Sequence, residues 1–358
     1  MLKYFLFFFL IPFLACNKRK EPAKASELPP LSFIKGADLS FLPEIESSGT
    51  RFFDQDSLPS DVLTIFKNKG CNTIRIRIWN KPADVHSSLD EVFSFSKIVK
   101  QKGMKVWLDF HYSDTWADPG QQTKPAAWAS LDQNTLCDSV FAYTKRVMLL
   151  INPDYVQIGN EINDGLLWDN GKLSLNPANG VQLLKSGVRA VREVDPKCKI
   201  IMHYAGQKGA DWFYDILKTN AVDYDIMGLS YYPIWHGYSL DTLQIQLQSL
   251  NTKFNKPIVI AETAYPFTLA WNDYTNNVVG LSNQLIPGYP ATPEGQLKFL
   301  TELKNKISTT PNGLGFCYWG AEWVSFKGPT ATNGSNAENQ ALFNFNNRAL
   351  PALEVFGK

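Results

Sequence analysis

Short apolar runs recur along the chain after about residue 31, and longer stretches with apolar residues three and four apart separate them. The short runs are typical of strands buried on both faces, and the longer stretches are typical of amphipathic helices. The candidate strands are 33–40, 72–79, 104–112, 155–162, 199–204, 224–233, 257–265 and 314–319. Candidate helices between them include 90–101, 136–151, 180–194, 210–219, 240–253 and 293–307.

This alternation predicts a parallel sheet with helical crossovers. Glycine or proline turns precede the second, third and fifth strands at Gly70, Gly103 and Pro196. Eight strand–helix units over about 320 residues match a closed (β/α)8 barrel of the α/β class, as one domain from 31 to 358. The structural alternative is a doubly wound open sheet, but no Gly-x-Gly-x-x-Gly motif follows the first strand.

The first thirty residues predict export. Lys3 precedes an apolar run from Tyr4 to Leu14 that is too short to span a bilayer, so residues 1–15 are interpreted as a signal peptide. The run ends in Ala15-Cys16, which resembles a bacterial lipobox, and Cys16 is then the lipidated residue. Residues 16–30 are rich in Lys, Glu, Pro and Ala, as expected of a flexible tether. We therefore expect a bacterial protein that is secreted or anchored at the outer membrane or cell surface.

The composition of the chain excludes some classes of binding partner. Lys and Arg number 35 against 34 Asp and Glu, a net charge of +1, so the chain lacks the field that would hold nucleic acid or an anionic membrane. The membrane contact expected is the Cys16 anchor alone. The other cysteines form no metal-binding spacing and are predicted to be free thiols, with one disulfide between two of them as the alternative in an oxidising compartment; they are Cys71, Cys137, Cys198 and Cys317. We expect a monomer with no cofactor and no metal.

Several candidate strands end in polar or charged residues, at the point where the buried strand passes into a loop. Glu161 ends the fourth candidate strand and Glu262 lies near the end of the seventh, 101 positions later. Since the carboxyl ends of barrel strands meet on one face, the two carboxyl groups are predicted to share a cavity. Glycoside hydrolysis needs such a pair, one protonated and one ionised. Asn160 would be placed to hydrogen-bond a sugar 2-hydroxyl.

A family resemblance rests on motifs spread from about Gly36 to Phe356. They are KGADLS at 35–40, IRIRIW at 74–79, LDFHYSDTWADPG at 108–120, IGNEI at 158–162, GLLW at 165–168, SYYP at 230–233, AET at 261–263 and YW at 318–319. With these motifs the chain resembles glycoside hydrolase family 53, the arabinogalactan endo-β-1,4-galactanases, in clan A of the barrel glycosidases. The resemblance implies a retaining endo-β-1,4-galactanase that acts on galactan.

The resemblance also implies roles for individual residues. Glu161 matches the acid/base and Glu262 the nucleophile. Arg75 is similar to the clan arginine that supports the nucleophile, with Arg77 as the neighbouring choice because side chains two apart share a strand face. The remaining substrate-binding candidates are Tyr232 beside the nucleophile, Tyr231 as the alternative at the neighbouring position, Trp319 as the floor under the reacting sugar, and His111, Asp114, Trp116 and Trp79 along the cleft. His86, His203 and His236 are interpreted as structural histidines.

Some alternatives stay open at this point. Some bacterial relatives carry an acidic, calcium-binding loop after the seventh strand, but residues 269–277 here contain one charged residue, Asp273. Another clan A endo-glycanase, acting on glucan or mannan, would use the same two glutamates. A surface lipoprotein that binds glycan without cleaving it is a third interpretation, against which the intact Glu161 and Glu262 argue.

Overall fold

A computed structural model of the protein describes residues 1–4 and 31–357. The chain divides into two units, Met1–Ser32 and Phe33–Lys358. The predicted signal-peptide cleavage and the lipidation of Cys16 lie outside the described residues. Within the described ranges, none of the helices combines the length and the apolar character needed to cross a membrane.

Eight parallel strands close into a barrel in which each strand pairs with the next in chain order and the eighth pairs with the first. The predicted (β/α)8 barrel and its eight strands are confirmed. The strands are β1 (Ile34–Asp38), β2 (Thr73–Ile78), β3 (Lys105–Phe110), β4 (Tyr155–Ile158), β5 (Lys199–Ala205), β6 (Ile226–Ser230), β7 (Ile258–Thr263) and β8 (Gly313–Tyr318).

The helices surround this barrel, and all six predicted ones are present with ends shifted by a few residues. They are α1 (Leu42–Ser47), α2 (Val62–Asn68), α3 (Leu89–Gln101), α4 (Gln133–Ile151), α5 (Pro177–Val194), α6 (Ala210–Thr219), α7 (Pro233–His236), α8 (Leu240–Phe254) and α9 (Pro293–Ser308). Side-chain caps fix several starts. Ser88, for example, accepts a hydrogen bond from the backbone N–H of Glu91 at the start of α3.

Strand β2 shows how the alternation of side chains builds the barrel. Ile74, Ile76 and Ile78 are fully or almost fully buried in the main apolar core, which includes residues of α3. Burying one such side chain contributes about 1.5–3 kcal/mol. Arg75 and Arg77 alternate with them and take the opposite face, which points into the barrel. One strand thus stabilises the helix layer and supplies charge to the interior.

The fourth predicted strand was too long. It ends at Ile158, because Gly159 (φ +81°) and Glu161 (φ +46°) adopt left-handed backbone conformations that turn the chain. Gly159 suits its position, because a Cβ there would meet Ile162 Cγ2 at 2.5 Å. Asn160 and Glu161 therefore lie in a tight turn at the barrel mouth, and not within the strand.

Strand β7 departs from regular pairing near Glu262. Its register with β6 shifts between Leu229 and Ser230, so that Ser230 pairs with Glu262, and its register with β8 shifts between Ile260 and Thr263. Such irregularities re-aim a side chain. Glu262 consequently reaches the cavity at the mouth of the barrel.

Candidate active site

A cavity of about 560 Å³ opens at the carboxyl ends of the strands. Its wall is contributed by the strands and by the loops that follow them. Nine of the predicted catalytic and substrate-binding residues line it: Arg75, Arg77, His111, Trp116, Asn160, Glu161, Tyr232, Glu262 and Trp319. The barrel thus brings together residues that are up to 244 positions apart in the chain, from 75 to 319.

Glu161 and Glu262 face each other in this cavity. One carboxylate oxygen of each lies within 4.8 Å of the other. Carboxyl groups about 5–5.5 Å apart leave room for direct attack on a sugar, whereas about 6.5–9.5 Å leaves room for an intervening water. The observed separation matches the shorter spacing.

Arg75 supports Glu262 directly. Its guanidinium contacts Glu262 Oε1 at 2.8 Å, Asp38 Oδ2 at 2.7 Å and Asp109 Oδ2 at 2.9 Å. It also donates to Asn160 Oδ1 at 2.9 Å, and the side chain is 1% exposed. A rigid guanidinium fork suits several acceptors at once. The arginine therefore links β1, β3, β7 and the turn after β4.

The two glutamates differ in the contacts that counteract the effect of burial on their pKa values. Burial and the neighbouring Glu262 carboxylate raise the pKa of Glu161. Burial also raises the pKa of Glu262, but Arg75 and a 2.9 Å hydrogen bond from the Tyr232 hydroxyl act in the opposite direction. Of the two glutamates, Arg75 contacts only Glu262, so a single proton on the pair is better placed on Glu161. The charge of Arg75 lowers the pKa of both carboxyl groups, so its effect extends beyond the glutamate that it contacts.

Arg77 has a different environment from Arg75. Its guanidinium carbon lies over the rings of Phe41, Trp79 and Trp116, at 3.9 Å from the centroid of Trp116. Its Nη2 lies 2.7 Å from His86 Nε2. Burial lowers the pKa of Arg77 to about 10, so it stays charged at neutral pH. Of the two arginines, Arg75 alone contacts Glu262, while Arg77 supports the aromatic wall.

The aromatic wall combines Trp116 and Trp319. Their ring centroids lie 6.4 Å apart, and Trp319 meets the Tyr232 ring edge-on at the same distance. Both tryptophans are partly buried and line the cavity. The His111 ring lies against Trp116, with ring centroids 5.9 Å apart. Two contacts fix the His111 ring: its Nε2 lies 3.0 Å from Asp109 Oδ2, and its Nδ1 accepts from the Ala117 backbone N–H. Flat aromatic faces of this kind suit the apolar faces of sugar rings.

Three predicted substrate-binding residues lie outside the cavity wall. Asp114 holds two loop segments together, because its carboxylate accepts hydrogen bonds from the backbone N–H groups of Lys81 and Ala126. Tyr231 is fully buried, and its hydroxyl donates to the Gly237 carbonyl. Trp79 packs on Arg77 behind the wall. For these three, motif position indicated proximity to the site but not which way the side chain points.

Four residues of the site were missed or given a purely structural role from sequence. Ser230 hydrogen-bonds Glu161 Oε1, and His203 bonds Ser230 from the adjacent strand. Trp235 and His236 of α7 line the cavity, and Trp235 is 61% exposed. The sequence signal for Trp235 was its position two residues after the predicted strand 224–233, because the loops that follow barrel strands carry site residues.

The loop after β7 carries the one acidic residue noted in the sequence. Asp273 accepts hydrogen bonds from the Thr275 backbone N–H and from the Ser325 hydroxyl. Glu338, from the loop after β8, accepts from the Asn272 backbone. Among the described residues, metal-ligand spacing is found only at Glu161, His203 and Glu262, and Ser230 already bonds both His203 and Glu161 there. That the protein needs no calcium stays a prediction.

The four cysteines in the described part of the chain are free, as predicted. Three are buried, and Cys137 is partly exposed. None lies in the cavity wall. The barrel is therefore held by packing and hydrogen bonds in this region, without disulfide links.

A (β/α)8 barrel with two facing carboxyl groups and tryptophan walls at its mouth defines a glycoside hydrolase. The family model for glycosyl hydrolase family 53 matches residues 34–356. The chain belongs to glycosyl hydrolase family 53.

Individual relatives agree with this assignment. The chain is 38% identical to an arabinogalactan endo-β-1,4-galactanase of Cellvibrio japonicus, over 90% of each protein. It is 32% identical to an endo-β-1,4-galactanase of Bacillus subtilis, over 90% of this chain and 85% of that protein. Among solved structures, it is similar to the GH53 catalytic domain of Ignisphaera aggregans, with 38% identity, a TM-score of 0.86, and coverage of 91% of this chain and 96% of that one.

Proposed function

We propose that this glycoside hydrolase is an endo-acting β-1,4-galactanase that cleaves galactan with retention of configuration. The observation that carries the proposal is the pair Glu161 and Glu262, with oxygens within 4.8 Å, in a chain whose relatives are named galactanases. The spacing supports a double displacement through a covalent galactosyl-enzyme.

In the first step, Glu262 attacks the anomeric carbon while the glycosidic C–O bond breaks. The proton of Glu161 passes to the departing oxygen. In the second step, Glu161 takes a proton from water, the water oxygen bonds to the anomeric carbon, and the bond to Glu262 breaks. Arg75 and Tyr232 hold the Glu262 carboxylate in its ionised, attacking form.

Asn160 is assigned to the sugar 2-hydroxyl. Its Oδ1 accepts from Arg75, and its Nδ2 donates one hydrogen to the Ala117 carbonyl at 2.8 Å. An amide carries two hydrogens on this nitrogen, so the second is available to a substrate hydroxyl. The contact would strengthen as positive charge develops at the anomeric centre.

Substrate residues on either side of the cleaved bond would stack on tryptophans. Trp319 and Trp116 form the inner wall, and exposed Trp235 stands at the rim. Stacking surfaces at more than one depth support binding along a polymer, as endo cleavage requires.

We also propose that the mature protein is a monomer, exported and anchored through lipid on Cys16. The apolar run from Tyr4 to Leu14 and the lipobox-like Ala15-Cys16 support export and anchoring. Mass spectrometry of the protein from bacterial membranes tests the cleavage before Cys16 and its lipid anchor. An acylated N-terminal Cys16 is the expected form, and an intact residue 1 on the mature protein contradicts it.

The substrate is tested by incubating the enzyme with linear β-1,4-galactan, β-1,4-glucan and β-1,4-mannan, followed by sizing of the products. The proposal expects short galacto-oligosaccharides from galactan at early times and little release from the other two. A Glu161→Gln variant controls for contaminating hydrolase. Preferential release from glucan or mannan would assign the enzyme to another substrate.

A further inference from the structure

The two oxygens of the Glu161 carboxyl group are not equivalent. Oε1 accepts a 2.5 Å hydrogen bond from the Ser230 hydroxyl. Within the described part of the chain, Oε2 has no hydrogen bond from a protein group. A general acid must present its proton on the oxygen that reaches the leaving group, so this asymmetry bears on catalysis.

Ser230 is itself oriented by His203, whose Nε2 lies 2.9 Å from Ser230 Oγ. The other ring nitrogen, Nδ1, lies 3.0 Å from Gln157 Nε2 and 3.3 Å from the Glu161 backbone nitrogen. Both of these groups are N–H donors, so Nδ1 acts as an acceptor. The hydrogen of the neutral ring is then on Nε2, directed at Ser230.

For His203 Nδ1 to accept from Gln157, the side-chain amide of Gln157 must present its nitrogen to His203. A contact with Arg75 fixes the amide in that orientation. Gln157 Oε1 accepts from Arg75 Nε at 3.2 Å, so Nε2 is the end of Gln157 that faces His203. Gln157 Nε2 donates one hydrogen to Asp109 Oδ1 at 2.6 Å, which leaves the second for His203 Nδ1. Asn160 Oδ1 lies 3.1 Å from His203 Nδ1 but already accepts from Arg75 at 2.9 Å. The donors therefore run in one direction, from Arg75 and Gln157 to His203, Ser230 and Glu161.

His203 is fully buried and held neutral. Burial, and then the charge of Arg75, lower the pKa of His203 well below its ordinary value. The other ionisable groups around it are Asp109 on β3, His111 after β3 and His236 on α7. A neutral imidazole ring carries one N–H group, and in His203 this group donates a hydrogen bond to the Ser230 hydroxyl oxygen.

These contacts leave one arrangement for the Ser230 hydroxyl. Its oxygen accepts from His203, and Ser230 is 1% exposed, so its hydrogen has Glu161 Oε1 as its partner. A proton placed on Oε1 would displace that hydrogen bond and leave the hydroxyl hydrogen buried without an acceptor. The same proton on Oε2 displaces nothing.

We propose that Ser230, oriented by His203, is a positioning residue that keeps the transferable proton of Glu161 on Oε2. The inference rests on the proposed function, in which Glu161 is the general acid. In that step the Glu161 Oε2–H bond breaks, the proton bonds to the glycosidic oxygen, and the electron pair of the C–O bond leaves with that oxygen.

The test compares two substrates that differ in their need for a proton. Unsubstituted β-1,4-galactotetraose has a poor leaving group, whereas 2,4-dinitrophenyl β-galactobioside leaves without protonation. Ser230→Ala should lower kcat for the tetraose by about 10- to 100-fold and change kcat for the aryl substrate by less than about 3-fold. Ser230→Cys, which keeps a weak donor, should fall between wild type and Ser230→Ala.

Ser96→Ala is the matched control. Ser96 is 1% exposed, and its hydroxyl on α3 has no hydrogen-bond partner. This variant removes a buried serine hydroxyl away from the cavity, so both kcat values should stay at the wild-type level. KM for either substrate should be unchanged in all three variants.

A carbon-13 NMR titration of the Glu161 side-chain carboxyl, assigned by its loss in Glu161→Gln, gives a second readout without substrate. The Ser230 hydrogen bond lowers the pKa of Glu161, so Ser230→Ala should raise this pKa and move the basic limb of the pH–rate profile upward. Equal losses of kcat on both substrates, no loss on the tetraose, or an unchanged Glu161 pKa would overturn the inference. Wild-type enzyme inactive on both substrates would instead refute the proposed function, and the titration would still decide the role of Ser230.

Discussion

Replacing Arg75 with methionine tests the charge arrangement of the barrel interior. The substitution removes the cation that contacts Asp38, Asp109 and Glu262 while keeping much of the side-chain volume. Removing one partner of a buried ion pair costs about 3–5 kcal/mol, because the other charge is left buried without compensation. We expect the free energy of unfolding to fall by at least this amount.

For a barrel of this size, a loss of about 3–5 kcal/mol corresponds to a decrease of about 4–7 °C in Tm. Calorimetry at a fixed scan rate measures it. Lys145→Met is the matched control, because Lys145 pairs with Glu193 and both side chains are more than a third exposed. An exposed pair contributes about 0–1 kcal/mol, so this variant should differ little from wild type.

The decisive observation is how the Tm difference between wild type and Arg75→Met changes with pH. Burial alone would raise the pKa of Asp109, but Arg75 and His111 outweigh it and hold this pKa below its ordinary value. In wild type, the stability that Asp109 contributes is therefore present above its unfolded pKa and is lost as pH falls through the folded pKa. Without Arg75, the buried carboxyls of Asp109 and Glu262 should bind protons more readily in the folded state. The Tm difference should then be largest near pH 7.5 and narrow toward pH 4.5, and an equal difference at both pH values would refute the reasoning.

Four further variants separate chemistry, loop structure and polymer binding. Glu161→Gln and Glu262→Gln should each lower kcat on galactan by roughly three orders of magnitude at an unchanged Tm, and near-normal turnover would remove that residue from the mechanism. Asp114→Ala should lower the free energy of unfolding by about 1–2 kcal/mol and leave KM within about 2-fold, since its carboxylate bonds two backbone N–H groups; a large rise in KM with normal Tm would restore it to the binding site. Trp235→Ala should raise KM for galactan by about 2- to 10-fold with little change in kcat, and an unaltered KM would exclude stacking there.

The barrel and the carboxyl pair could be predicted because both leave a periodic signal. Buried strands give apolar runs, and a charged residue that ends such a run is conspicuous. Glu262 therefore stood out in its apolar strand, and its spacing of three units from Glu161 placed both on one face. The end of β4 was predicted less well, since the left-handed backbone at Glu161 depends on contacts with β5 that are distant in sequence, such as the bond from Ile162 N–H to the His203 carbonyl.

Side-chain partners inside the barrel were the least predictable feature. Arg75 and Arg77 share a strand face, so their spacing alone could not decide which contacts Glu262. The choice depends on Asp38 and Asp109, contributed by β1 and β3. His203 was interpreted as structural because a lone histidine in an apolar strand carries no functional pattern. Its bond to Ser230 exists only because β5 and β6 lie side by side.

The most direct test of the central claim is proton NMR of the sugar first released from linear β-1,4-galactan. Two carboxyl groups with oxygens within 4.8 Å should act by double displacement, so the β-anomer should appear first and the α-anomer should grow in only by mutarotation. Initial appearance of the α-anomer would contradict attack by Glu262 and with it the account of this site.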